Sequence, residues 1–310
     1  MRVLGLGDNV CDKYLHTGIM YPGGNALNVA VFAKRLGAEA GYLGVFGDDI
    51  VGDHVSKTVG ELGLDLSRIR RVHGENGFAR ATLVDGDRVF LRGNKGGVTY
   101  TMPLVLSDGD LEYLRSFDLI HTSVYSYIEN EFPKLVGLPG YISMDFSDEF
   151  EDEYLKRCCP YLDAAEISCA DMPEEEIRSV VKKIFDYGCR HIVIATRGSR
   201  GALVTVDGIE YQQSPCKVKA TDTMGAGDSF IASFLVRYLS GMDLTADFPE
   251  NSKEYGITDQ KSYQRELVKV CLHNAAVFAS RQVMVDGTFG YGIPFELSEE
   301  DRRLLEKASK

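Results

Sequence analysis

The order of elements predicts an α/β fold: a doubly wound, mostly parallel sheet with helices on both faces, plus a small β-sheet lid. Two patterns carry this. Apolar runs of strand length alternate with helix-period segments along most of the chain, and two regions in its first third read as strands without helices between partners. The 310 residues suit one large domain with an appendage.

Arg2–Leu6 reads as the first strand. Ala26–Leu36 reads as a helix with apolar residues at Ala26, Val29, Ala30, Ala33 and Leu36, stopped by Gly37. Tyr42–Val45 is a strand and Ile50–Leu62 a helix ending at Gly63. Further strands fall at Leu119–Thr122, Tyr141–Asp145, Ala164–Ser168 and His191–Ala195. The helix Pro173–Tyr187 opens with three glutamates, which suit the positive end of a helix. Lys13–Tyr21, and Phe78–Val84 with Arg88–Arg92 across an Asp85-Gly86 turn, break the alternation. They define a lid over 13–22 and 78–100, leaving 1–12, 23–77 and 101–310 as the core. Met242–Tyr263, between helices at Ala226–Ser240 and Gln264–Ser280, reads as a polar surface insertion.

Composition narrows the function. With 44% hydrophobic and 26% charged residues the chain is not a disordered one. A net charge of −12 argues against general affinity for nucleic acid or anionic membranes, though not against a local phosphate pocket. Seven cysteines without a Cys-x-x-Cys pair argue against zinc and for a reducing, cytoplasmic setting. No apolar run approaches the length of a membrane span.

The glycine motifs carry the chemistry. Gly5-Leu6-Gly7-Asp8-Asn9-Val10 lacks the third glycine and the following helix of a dinucleotide site, so a nicotinamide dehydrogenase is set aside. No P-loop, Gly-x-Ser-x-Gly elbow or His-Glu-x-x-His is present. In Asp222-Thr223-Met224-Gly225-Ala226-Gly227-Asp228 a glycine loop opens directly into a helix, whose N–H groups suit a phosphate. There Asp228 is either a general base for an attacking hydroxyl or a helix cap. Tyr21–Ala30 is a second glycine turn into a helix, with Asn28 near the loop to bind sugar hydroxyls or cap the helix. The acids of Gly44–Gly52 read as helix caps.

Gly23-Gly24-x-x-x-Asn28, Gly44-x-x-Gly47-x-Asp49-x-x-Gly52 and Asp222-Thr223-x-Gly225-Ala226-Gly227-Asp228 together resemble the ribokinase/PfkB carbohydrate kinase family over nearly the whole chain. The resemblance implies ATP as phosphoryl donor with Mg²⁺. It implies Asp228 as catalytic base, Gly225, Ala226 and Gly227 as the anion hole, and Asp12, Gly24 and Asn28 as sugar contacts. On the nucleotide side it implies Thr196, Gly198 and Gly201, with Asn274 near the adenine. Asp222 with Thr223 resembles part of a monovalent-cation site, for K⁺. Ser168-Cys169-Ala170-Asp171 departs from the family's Asn-x-x-Glu, leaving Asp171 as the acid for the metal.

The opening Arg2–Asp12, Asp222-Thr223-Met224-Gly225 and the tail Gly287–Gly292 resemble the branch that phosphorylates the 6-hydroxyl of fructoselysine, an Amadori product. The free carboxylate of that substrate would meet Arg80, Arg92 or Lys95 of the lid, Arg92 being the assigned contact. Fructose, ribose, a nucleoside or a keto-deoxy acid are the alternative acceptors. An inactive sugar- or nucleotide-binding relative is the reading from another class. The family resemblance also implies a homodimer paired through the lid.

Overall fold

The computed structural model of the protein describes residues 1–84, 87–243 and 256–308. Its larger sheet has nine strands: β1 (Arg2–Gly7), β4 (Glu39–Phe46), β5 (Arg70–Arg71), β8 (Leu119–Ser123), β9 (Tyr141–Asp145), β10 (Ala164–Ser168), β11 (Ile192–Thr196), β12 (Ala202–Val206) and β13 (Ile209–Gln213). The spatial order is β13-β12-β11-β10-β9-β8-β1-β4-β5. From β5 to β11 the neighbours are parallel; β12 and β13 are antiparallel. Most strand limits agree with the sequence reading to within one or two residues, though β4 starts three residues before the expected Tyr42. The terminal hairpin β12–β13 departs from the strand–helix rhythm. It turns at Asp207-Gly208, whose φ values of 46° and 79° suit a primed hairpin turn.

The helices are α1 (Asn25–Arg35), α2 (Ile50–Glu61), α3 (Val98–Thr101), α4 (Asp108–Leu114), α5 (Phe132–Leu135), α6 (Asp152–Cys158), α7 (Glu174–Asp186), α8 (Ala226–Asp243), α9 (Gln260–Gln282) and α10 (Glu299–Ala308). Side chains alternate along each strand, so the sheet builds a core on both faces. Val3 joins Phe32, Val55, Phe234 and Leu272 of α1, α2, α8 and α9. Leu4 and Leu6 join Leu114, Phe132, Leu155 and Ile177 of α4 to α7. Gly5 permits the close approach of α1: a Cβ there would fall 2.3 Å from the Ala26 carbonyl oxygen. Its glycine thus serves helix packing.

The smaller sheet has the order β14-β3-β2-β6-β7, from β2 (Val10–Tyr14), β3 (Ile19–Gly23), β6 (Gly77–Val84), β7 (Asp87–Leu91) and β14 (Ile293–Pro294). The expected single strand Lys13–Tyr21 is two antiparallel strands, because the chain turns at Gly18, φ 67°. The Asp85-Gly86 turn lies outside the described residues. So does most of the expected insertion, but both its flanks are helical. α8 runs to Asp243, and α9 starts early because the Asp259 side chain accepts from the Ser262 amide.

Arg80 of β6 fastens α10 to this sheet. Its buried guanidinium meets Asp301 at 2.5 Å and Glu300 at 2.9 Å and donates to the Arg92 carbonyl at 2.7 Å. Arg80 is therefore committed to the fold and does not serve the substrate carboxylate expected for it. Arg80→Ala leaves Asp301 buried without its cation and lowers unfolding stability by about 3 kcal/mol. Urea denaturation reads this, and a loss below ~1 kcal/mol would rule out Arg80 as the fastening.

Candidate active site

The candidate groups gather at the carboxyl ends of the parallel strands, where open α/β sheets bind ligands. The turn from β3 into α1 holds Gly24 at φ 116°, and a Cβ there would lie 2.7 Å from the Asn9 Cα. Asp8 secures the start of α1. Its carboxylate accepts from the Ala26 amide at 3.0 Å and the Ser123 hydroxyl at 2.7 Å. α1 then presents Asn28, whose Nδ2 donates to Asp228 Oδ2 at 2.6 Å.

Asp228 is buried in the first turn of α8. The preceding loop is fixed by Asp222, which accepts from Tyr14 Oη at 2.5 Å and from the amides of Met224 and Gly287, each at 2.8 Å. This is the structural setting of the residue expected at a monovalent-cation site. Gly225 has φ 70°, and a Cβ would fall 2.3 Å from Thr288 Cγ2. Burial pushes the Asp228 carboxyl well above the ordinary carboxylate range. The charge of Asp145 adds to that, the Asn28 amide opposes it, and Asp8 and Asp12 add further.

Asp228 has two different surroundings. On one side, Asp12 Oδ2, Asn28 Oδ1 and Thr288 Oγ1 all come within 4 Å of the point where Gly23 would carry a Cβ. Among the described residues, Asn28 Oδ1 and Thr288 Oγ1 are buried without a hydrogen-bond partner. Such atoms call for a ligand that can donate, as sugar hydroxyls do. On the other side lies a cavity of about 350 Å³, bordered by the whole loop Thr223–Gly227 together with Asp228. Asn25, Asp145, Glu166, Ser168 and Thr196 supply its polar wall, and no lysine or arginine stands among its described lining. Phe90 of β7, 60% exposed, brings the smaller sheet to the same cavity.

Asp145 and Glu166 have no counterpart among the expected site residues. They are register partners on β9 and β10. Asp145 accepts from Asn25 Nδ2 at 2.8 Å and the Ser147 amide at 2.7 Å, and burial pushes its carboxyl up to about 6. Their one sequence signal is position: Asp145 ends an apolar strand run, and Glu166 interrupts the middle of the next one.

The remaining expected residues are more dispersed. Thr196 borders the cavity. Gly198 and Gly201 form the turn that follows it, with Gly198 exposed. Arg197 anchors this turn through Glu174 at 2.5 Å, and Arg200 donates to the carbonyls of Cys169, Ala170 and Met172. Asp171, on the segment Arg200 holds, is exposed and outside the described cavity lining, whereas Ser168 belongs to that lining. Asn274 is half-buried in mid α9, also outside the lining. Arg92 is exposed just past β7.

Fold and site together point to the class of ATP-dependent sugar kinases, and sequence comparison establishes that class. The chain belongs to the pfkB family of carbohydrate kinases, whose pattern it matches over residues 4–135 and 162–247. It is 39% identical over 310 residues to fructosamine kinase FrlD of Bacillus subtilis (strain 168), covering 98% of this chain and 100% of that one. It is 34% identical over 240 residues to fructoselysine 6-kinase of Escherichia coli (strain K12), covering 77% and 90% of the two chains. In fold it is similar to Arabidopsis thaliana ribokinase complexed with ribose and ATP, at TM-score 0.72 and 21% identity over 100% of this chain and 98% of that one. Among the described residues no helix is long and apolar enough to cross a membrane.

Proposed function

We propose that this kinase transfers the γ-phosphoryl group of ATP to the 6-hydroxyl of fructoselysine, giving fructoselysine 6-phosphate. The observation that carries the reading is the position of Asp228, a buried acid held by Asn28, whose own Oδ1 is buried without a partner, on the border of a cavity that the N-terminal loop of α8 also lines. Asp12, Gly24, Asn28 and Thr288 surround the sugar. Asp228 removes the proton of the attacking hydroxyl as its oxygen bonds to the γ-phosphorus and the bond to the β-phosphate oxygen breaks. The N-terminal amides of α8 stabilise charge on the transferring group. Thr196 and the turn to Gly201, with Asn274, form the nucleotide side. Mg²⁺, which neutralises charge between phosphate oxygens, suits an acidic cavity without basic side chains in its described lining.

The smaller sheet acts as the lid, closing Phe90 over the site to exclude water. Its exposed Val89, on the face of the sheet opposite Phe90, is apolar surface that a homodimer paired through the lid would bury, and sedimentation tests that pairing. Of the three lid cations considered for the substrate carboxylate, Arg80 is engaged by α10, which leaves Arg92, the assigned contact, and Lys95. Comparing turnover in potassium and in sodium buffer tests the cation site at Asp222.

The name of one relative, fructoselysine 6-kinase, supports fructoselysine as the acceptor, and that of the other, fructosamine kinase, supports the broader class of fructosamines. A panel of fructoselysine, fructose and ribose, read by ATP consumption, tests this. Fructoselysine is expected to give the highest kcat/KM; a higher value for fructose or ribose overturns the substrate, and binding without turnover overturns the activity.

The pH profile follows from the environment of Asp228. A base works only when ionised, and its carboxyl is held above the ordinary value. kcat/KM therefore falls as pH drops, with a half-point above the usual ~4 of an aspartate. Asn28 favours the ionised form, so Asn28→Ala moves the half-point upward. A wild-type limb at or below ~4 would exclude Asp228 as the base.

A further inference from the structure

Glu166 is unlike the other acids of the site. It is 1% exposed, and among the described residues neither of its carboxylate oxygens has a hydrogen-bond partner. Asp8, Asp145 and Asp228 all receive donors. Stranding a carboxyl in this way costs several kcal/mol unless a cation or donor arrives. Glu166 is one of the residues that border the cavity, as is Asp145, its register partner, and the N-terminal loop of α8 borders the same cavity. Asp171, which the family resemblance assigns to the metal, is exposed and lies outside the described lining.

We propose that Glu166, with Asp145 beside it, binds the divalent cation that enters with the nucleotide, taking the place of the Asp171 segment. Mg²⁺ is typically held by one or two carboxylates plus phosphate oxygens and keeps several waters. Two acids that are register partners on adjacent strands, Asp145 at the end of β9 and Glu166 within β10, provide that number of protein ligands. A cavity without basic residues in its described lining must also receive a polyanion, and the cation offsets both charges. The proposal rests on the nucleotide occupying this cavity.

The test measures Mn²⁺ binding to the full-length protein in the presence of ADP, through loss of the free-Mn²⁺ electron paramagnetic resonance signal, with Mg²⁺ as competitor. Glu166→Gln is expected to weaken Mn²⁺ binding at least ~10-fold, since even outer-shell changes cost that much. Asp171→Asn is expected to change it less than about twofold. Wild-type affinity in Glu166→Gln, or an equal loss in Asp171→Asn, overturns the assignment. If Glu166→Gln does not fold, Glu166→Asp gives the reading: its shorter arm weakens Mn²⁺ binding, and unchanged affinity overturns the proposal. The functional reading fails separately. A wild type that binds Mn²⁺ through Glu166 but phosphorylates no sugar overturns the kinase chemistry and keeps the metal site.

Discussion

Asp228→Asn lowers kcat by at least ~100-fold, the contribution expected of a positioned general base. The substitution keeps the shape of the side chain and an oxygen that can still accept from Asn28, so the helix start and the pocket stay in place. What is lost is the ability to take a proton from the sugar hydroxyl. The loss therefore falls on kcat, with KM for the sugar changing far less. Steady-state kinetics with saturating ATP measure both. Turnover near that of the wild type removes Asp228 from the mechanism and leaves it as a helix-terminal acid.

Gly225→Ala lowers kcat/KM by about 100-fold, through position instead of proton transfer. Two costs act together. The residue has φ 70°, which an L side chain rarely adopts, and the new Cβ would lie 2.3 Å from Thr288 Cγ2. Either Thr288 or the α8 loop, which leads directly into Asp228, must move. Adding Thr288→Ser removes the clashing methyl and keeps the hydroxyl. It is expected to restore part of the activity but not all, because about 1 kcal/mol of backbone strain remains. Wild-type kcat/KM in the single variant would show that the loop does not set the geometry of transfer.

The parts of the site legible in sequence are those written contiguously. Gly225, Gly227 and Asp228 sit within four residues, and Gly24 and Asn28 within five. In each case a glycine turn and the start of a helix place the polar group locally. Asp145 and Glu166 are different: one ends β9, the other lies in the middle of β10, and only the pairing of the two strands brings them together. Nothing along the chain shows that Glu166 lacks a hydrogen-bonding partner. Except for the two-residue β5, Arg70–Arg71, the parallel strands of the larger sheet were legible from their apolar runs. β12 and β13 were not, because a strand–helix rhythm expects a helix after β11, and the Asp207-Gly208 turn overrides it. The first turn of α9 was hidden because Gln260–Ser262 is polar; the Asp259 cap holds it as helix.

The smaller sheet has an unequal distribution along the chain. Four of its strands lie within the first 91 residues, but β14 and the helix that Arg80 fastens lie after residue 292. During synthesis, the early strands leave the ribosome about 200 residues before the segments that complete them. At about 5–20 residues per second, this is a wait of ~10–40 s. Through that interval the buried guanidinium of the finished protein has no acid from α10, and the edge of β3 that β14 will cover is open. The nascent chain thus carries an unfinished sheet edge until residues 293–308 emerge, which makes this stretch the place where a chaperone has most to protect.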